Sequence, residues 1–166
     1  MAPTSQFRVQ SPLSYKRAAV MFILAYIVVT VLAIALSVFI GVVGHMPPTA
    51  EPLQNQAYLL SERFLPLLNL LVWGMFAWVY FRGRTKTDRL ALRGEAFVLG
   101  VFWMVTAIVV DYVGFVLIKN PISLTAHDFY VGQFPWIYLI YVAILIAPLC
   151  ETALAGDSRR AAQPAL

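Results

Sequence analysis

The chain has 166 residues, of which 61% are hydrophobic and 12% charged. Soluble globular domains carry about a quarter charged residues, so this composition argues against a soluble globule and points to a membrane protein. The formal net charge of +4 does not indicate nucleic acid binding, because the basic residues gather at the ends of apolar runs and form no groove or stripe; membrane lipids are the expected partners.

Residues 1–17 hold Pro3, Pro12, Arg8, Lys16 and Arg17 and read as a cytoplasmic N-terminal arm. The first apolar run predicts a transmembrane span over 18–44. It exceeds the roughly 7–15 residues of a signal-peptide core, so it is expected to be retained. It carries Tyr26, Thr30, Ala33, Ser37, Gly41 and Gly44 at steps of four and three. Ala33, Ser37 and Gly41 give the small-xxx-small spacing that lets helices approach closely.

A loop with Pro47, Pro48 and Pro52 leads to a second span over 58–81. There Glu62, Pro66, Asn69 and Trp73 share one helical face. If the helix starts near Arg63, Pro66 falls in its first turn at little cost; if it starts earlier, Pro66 kinks it and frees a carbonyl. The loop from Arg82 to Arg93 is strongly basic and reads as a lipid-facing stop signal.

The third span is predicted over 95–118. Gly100, Ala107 and Gly114 lie seven apart, and Asp111 shares their face. This stripe and the seam of the first span are expected to make the tightest helix contact. A polar loop with an Asn120-Pro121 turn follows, then a fourth span over 132–154 with Gln133, Ile137 and Tyr141 on one face and Tyr138 beside it. Residues 155–166 read as a cytoplasmic tail. The expected fold class is therefore an all-α integral membrane protein, a four-helix antiparallel bundle spanning 18–154. Lys and Arg placement puts both termini inside, with only Arg63 and Lys119 outside. The plan fits the cell membrane, in particular a bacterial inner membrane.

Depth follows from a rise of about 1.5 Å per residue. Counted from the inner boundary, Asp111, Asn69, Thr30 and Tyr138 fall at about 20–22 Å, and Arg63, Gln133 and Ser37 at about 28–30 Å. The polar groups thus collect in the outer half. A carboxylate at such depth costs roughly 2.5–3.5 kcal/mol on insertion scales and marks a packing or functional site. Asp111 is expected either to accept hydrogen bonds from Tyr, Thr or Asn or to pair with Arg63. Glu62 and Arg63 project about 100° apart, so only one can face it, and Arg63 is the better partner by charge.

Asp111, Arg63, Glu62, Asn69, Tyr138 and Gln133 are therefore the candidates for ligand contact or pairing. Ala33, Ser37, Gly41, Gly100, Ala107 and Gly114 are the candidates for helix packing. His45, His127 and Asp128 read as solvated loop residues, and no spacing enforces a metal site or any cofactor. The single Cys150 can form no internal disulfide. No catalytic motif is present. The expected role is a non-enzymatic membrane module: a subunit, an assembly factor, or a bundle that binds a lipid or small molecule through a polar cluster in its outer half. Other membrane subunits or a second copy are possible partners. The alternatives are an oligomeric transporter or channel using Asp111, and an intramembrane enzyme acting on a lipid-linked substrate.

Overall fold

The structure, a computed structural model, describes residues 13–47, 49, 52–82, 89–119 and 123–161. The arm 1–12, the loop 83–88, the Asn120-Pro121 turn and residues 162–166 lie outside the described residues. Among the described residues every element is helical. Helix α1 covers Tyr15–Val43. A single 3-10 turn at Pro52–Gln54 precedes α2, Gln56–Glu62, and α3, Leu65–Phe81. Helix α4 covers Arg89–Asp111 and runs on into a π-helical stretch, Tyr112–Leu117. A second π turn, Asp128–Gly132, leads to α5, Trp136–Ala161. Three helical stretches are long and apolar enough to cross a membrane: Tyr15–Val43, Leu90–Leu117 and Trp136–Leu154. The pair α2 and α3 adds a fourth if a 53° bend is allowed within one span.

That bend has a local cause. Pro66 has no N–H to donate to the carbonyl of Glu62 one turn earlier, and its ring crowds that carbonyl. Helix α2 therefore stops at Glu62. The chain passes Arg63 and Phe64 with short i→i−3 bonds, Arg63 N–H to Leu60 O and Phe64 N–H to Ser61 O, before α3 begins. Pro66 falls in the first turn of α3, as one sequence reading had it, and the bend of the other reading lies just before it, between two separate helices.

Each helix buries a stripe set by the 3.6-residue period. In α1 it is Ala18, Phe22, Ala25 and Val29; in α3 it is Asn69, Trp73, Ala77 and Tyr80. The rest of α1 is apolar and exposed, including Val31, Ile34, Val38, Phe39 and Val42. A helix apolar all round with so narrow a buried stripe has an exterior suited to hydrocarbon.

The most extensive contacts join α5 to α3 and to α4, while α1 packs on α2 and α3 and touches α4 only lightly. Trp73 meets Trp103 and Tyr80 bonds Glu95, so α3 and α4 run in opposite senses. Asp111 meets Tyr141 while Gly100 meets Leu145, so α4 and α5 are also antiparallel. The closely packed pair α3 and α5 is therefore parallel.

This corrects the expectation that the seam of α1 and the stripe of α4 form the tightest contact. Gly100 does permit a close approach, but to α5: a Cβ there would lie 2.2 Å from the Leu145 carbonyl oxygen. Gly114 has open space where its Cβ would be, and a Cβ on Gly41 would make only ordinary contact, 3.4 Å from Cβ of Ala57. Ala33 and Ser37 face a cavity instead of a helix.

One end of the bundle carries Lys16, Arg17, Arg82 and Arg93, and is called the basic end below. Arg17 donates to the carbonyls of Val79 (2.7 Å) and Arg82 (3.0 Å) at the C-terminus of α3, and its guanidinium lies 5.7 Å from the Tyr80 ring centre. Cations stabilise exposed helix carbonyls in this way. Tyr80 turns into the core and is fully buried. With Trp103, Leu99 and Trp73 it fills the basic half of the bundle. The indole of Trp103 donates to the carbonyl of Ala18 at 2.9 Å, joining α4 to α1.

Candidate functional site

Above Trp73 the packing opens into a cavity of about 400 Å³. Its lining draws on α1, α2, α3, α4, the π stretch and α5. The polar side chains on it include Tyr26, Thr30 and Ser37 from α1, Tyr58, Ser61 and Glu62 from α2, Asn69 from α3, Asp111 from α4, and Gln133 ahead of α5. The remainder is apolar or aromatic, including Val29, Ile34, Ile137, Phe129 and Trp136.

Asp111 ends the α-helical part of α4 and is 9% exposed. Its two oxygens accept from two tyrosines, Oδ1 from Tyr26 of α1 and Oδ2 from Tyr141 of α5, the latter at 2.9 Å. The acid thus ties α1, α4 and α5 together. The chain widens into π geometry directly after it, which brings Phe115 onto the cavity wall. Such π segments are often found at functional sites.

Glu62 reaches the same cavity by another route. Asn55 caps α2 by accepting from the backbone N–H of Tyr58 at 3.1 Å. Ala57 packs beside Gly41, and together these turn Ala57, Ser61 and Glu62 inward. Leu59 and Arg63 consequently face outward. Gln133 donates to the hydroxyl of Tyr58 at 2.6 Å, one turn before Glu62. Among the described residues, the carboxylate oxygen Oε1 of Glu62 is buried with no hydrogen-bond partner, the one buried side-chain oxygen or nitrogen so left. Asn69 is engaged on both sides, donating to Leu65 O at 2.9 Å and accepting from the Trp73 indole at 3.0 Å.

Of the two arrangements expected for Asp111, hydrogen bonds from tyrosine are formed and the pair with Arg63 is not. Arg63 is exposed, and two tyrosine hydroxyls occupy the acid. A guanidinium at the end of a short helix reaches water more cheaply than it crosses an apolar wall. Tyr138 is also displaced from its expected place: it is 46% exposed and meets Phe134 edge-on, while Tyr141 three residues on faces the acid. The structure brings Asp111, Glu62, Asn69 and Gln133 to one cavity and leaves Arg63 and Tyr138 outside it. Ala107 is buried and lines it too.

Sequence reasoning expected a tyrosine at Asp111 but did not single out Tyr26 or Tyr141, nor Tyr58 as the partner of Gln133. A signal was present for each: Tyr26 heads the polar seam of α1, Tyr141 shares a face with Gln133, and Tyr58 precedes Glu62 by one turn. Chemically, the cavity offers two carboxyl groups, several hydroxyls and amides, and aromatic rings. Among the described residues no Lys, Arg or His lines it, and no group of three or more His, Cys, Asp or Glu is placed to hold a metal ion. No family model, curated protein or solved structure matches the chain.

Proposed function

We propose that this chain is a multi-pass membrane protein of four spans, with the α2–α3 pair as its second, and that it acts as a non-enzymatic module binding a lipid or small molecule. The observation that carries this reading is the cavity of about 400 Å³ with Glu62, Asn69, Asp111 and Gln133 on its wall. Ligand sites are concave, mostly apolar, and carry a few placed polar groups, within about 300–1,000 Å³. The apolar exterior of α1 and the three helical stretches long enough to cross a bilayer support the membrane placement. The gathering of Lys16, Arg17, Arg82 and Arg93 at one end supports a cytoplasmic position for that end, and hence for both termini. The cavity then lies in the outer half.

A transport path within one chain is less well supported, because Trp73, Trp103, Tyr80 and Leu99 close the basic half. An acid–base dyad is less well supported because both oxygens of Asp111 are already engaged. Two experiments test the reading. Single cysteines at Arg63 or Lys119 in a Cys150→Ser background should react with an impermeant thiol reagent from outside intact cells, and one at Lys16 should react only after lysis. Mass spectrometry of protein purified in mild detergent should detect a bound apolar compound that Ala33→Trp, which fills the cavity from α1, displaces. Labelling at Lys16 from outside refutes the orientation, and a wild-type protein that carries no compound and takes up none refutes the binding role.

A further inference from the structure

We propose that the cavity binds an organic cation: a protonated amine carried on an apolar body. This rests on the binding role proposed above and specifies its ligand class. The first support is Glu62. It is 4% exposed, lines the cavity, and keeps one carboxylate oxygen without a donor. A buried acceptor left open costs free energy that an incoming N–H recovers, and a charged N–H recovers most. Tyr58, one turn before it, accepts from Gln133 and lines the same cavity.

The second support is the sign of the wall. Two carboxyl groups line the cavity and, among the described residues, no cationic side chain does. An anionic or phosphate head group would face two carboxyl groups there and, among the described residues, no cationic partner. The third is the rest of the lining. The rings of Tyr26, Tyr58, Trp73 and Trp136 border the space, and aromatic faces attract organic cations within about 6 Å. The aliphatic remainder suits an apolar body. A bare divalent cation fits poorly, since it requires about six or more oxygens converging at about 2.0–2.6 Å.

The test uses the full chain in nonionic detergent, titrated with phenethylamine, which is protonated at neutral pH, and with phenethyl alcohol, a neutral compound of nearly the same shape. Heat of binding is the readout. The amine should bind saturably and about tenfold or more tightly than the alcohol, as a charge-assisted hydrogen bond implies. Glu62→Gln should abolish that preference and leave the alcohol unaffected. Equal affinities in the wild type overturn the cation class while leaving the binding role standing; binding of neither compound overturns both. A preference that survives in Glu62→Gln overturns the part assigned to Glu62. The wild-type comparison holds even if the variant does not fold. Competition by phosphatidylethanolamine bicelles would assign the amine to a lipid head group, and its failure would assign it to a free amine.

Discussion

The hydroxyl of Tyr141 donates to Oδ2 of Asp111 at 2.9 Å across the contact between α4 and α5, and Tyr26 occupies the other oxygen from α1. The acid of α4 is therefore a three-helix tie. Glu62, one turn beyond Tyr58, is the acid left with an open oxygen.

The tie predicts coupled losses of stability. Tyr141→Phe removes one donor and leaves Oδ2 unsatisfied, a cost of about 1–3 kcal/mol. Asp111→Asn should cost a similar amount. Because the two touch, the double variant should lose less than the sum, with a coupling of about 0.5 kcal/mol or more. Tyr138→Phe, on the exposed side, should be neutral. Thermal unfolding in detergent, followed by circular dichroism, gives all four values, and strict additivity would refute the tie.

The approach of α4 to α5 predicts a sharp contrast between two glycines. A Cβ on Gly100 would meet the Leu145 carbonyl at 2.2 Å, whereas on Gly114 it would meet nothing within 4 Å. Gly100→Ala should destabilise by about 1–3 kcal/mol or more, since a backbone oxygen cannot swing aside. Gly114→Ala should be close to neutral. Equal melting temperatures for the two variants would contradict the observed interface.

Pro66→Ala restores an N–H able to reach the Glu62 carbonyl. The expected outcome is a straighter α2–α3 segment, with the 53° bend reduced. Spin labels at Gln56 and Gly74 should move apart. Glu62 should shift with the straightening, so phenethylamine affinity should fall in the same variant. An unchanged label distance would place the cause of the bend elsewhere.

Arg17 caps α3 through the carbonyls of Val79 and Arg82. Arg17→Ala should cost about 1–3 kcal/mol by freeing these acceptors. Arg17→Lys should recover only part, because an ammonium is a point donor and lacks the planar fork. Hydrogen exchange should show faster opening at the last turn of α3 in Arg17→Ala, with the first turn of α5 unaffected.

Part of this molecule is legible in the amino-acid order. Apolar runs of this length must satisfy their backbone internally, so helices are the expected outcome, and all the described elements are helical. Asp111, Asn69, Glu62 and Gln133 stand out in sequence because polar groups are rare in such runs. The choice between Glu62 and Arg63 is not legible. They are adjacent, and which one turns inward depends on the Asn55 cap, the seat of Ala57 beside Gly41 and the stop imposed by Pro66. The partners of Asp111 are equally hidden, since Tyr26 and Tyr141 lie 85 and 30 residues away.

The sequence by itself determined an all-helical chain, the polar groups available to it, and the ends where its charge gathers. Those follow from local period, from run length and from the cost of placing charge in an apolar medium. Only the tertiary structure decided that α5 packs against both α3 and α4, that the small residues of α1 border a cavity, and that Asp111 is satisfied while Glu62 keeps an open oxygen. These depend on which helix faces meet, and a 53° bend between two short stretches of one run is enough to change that.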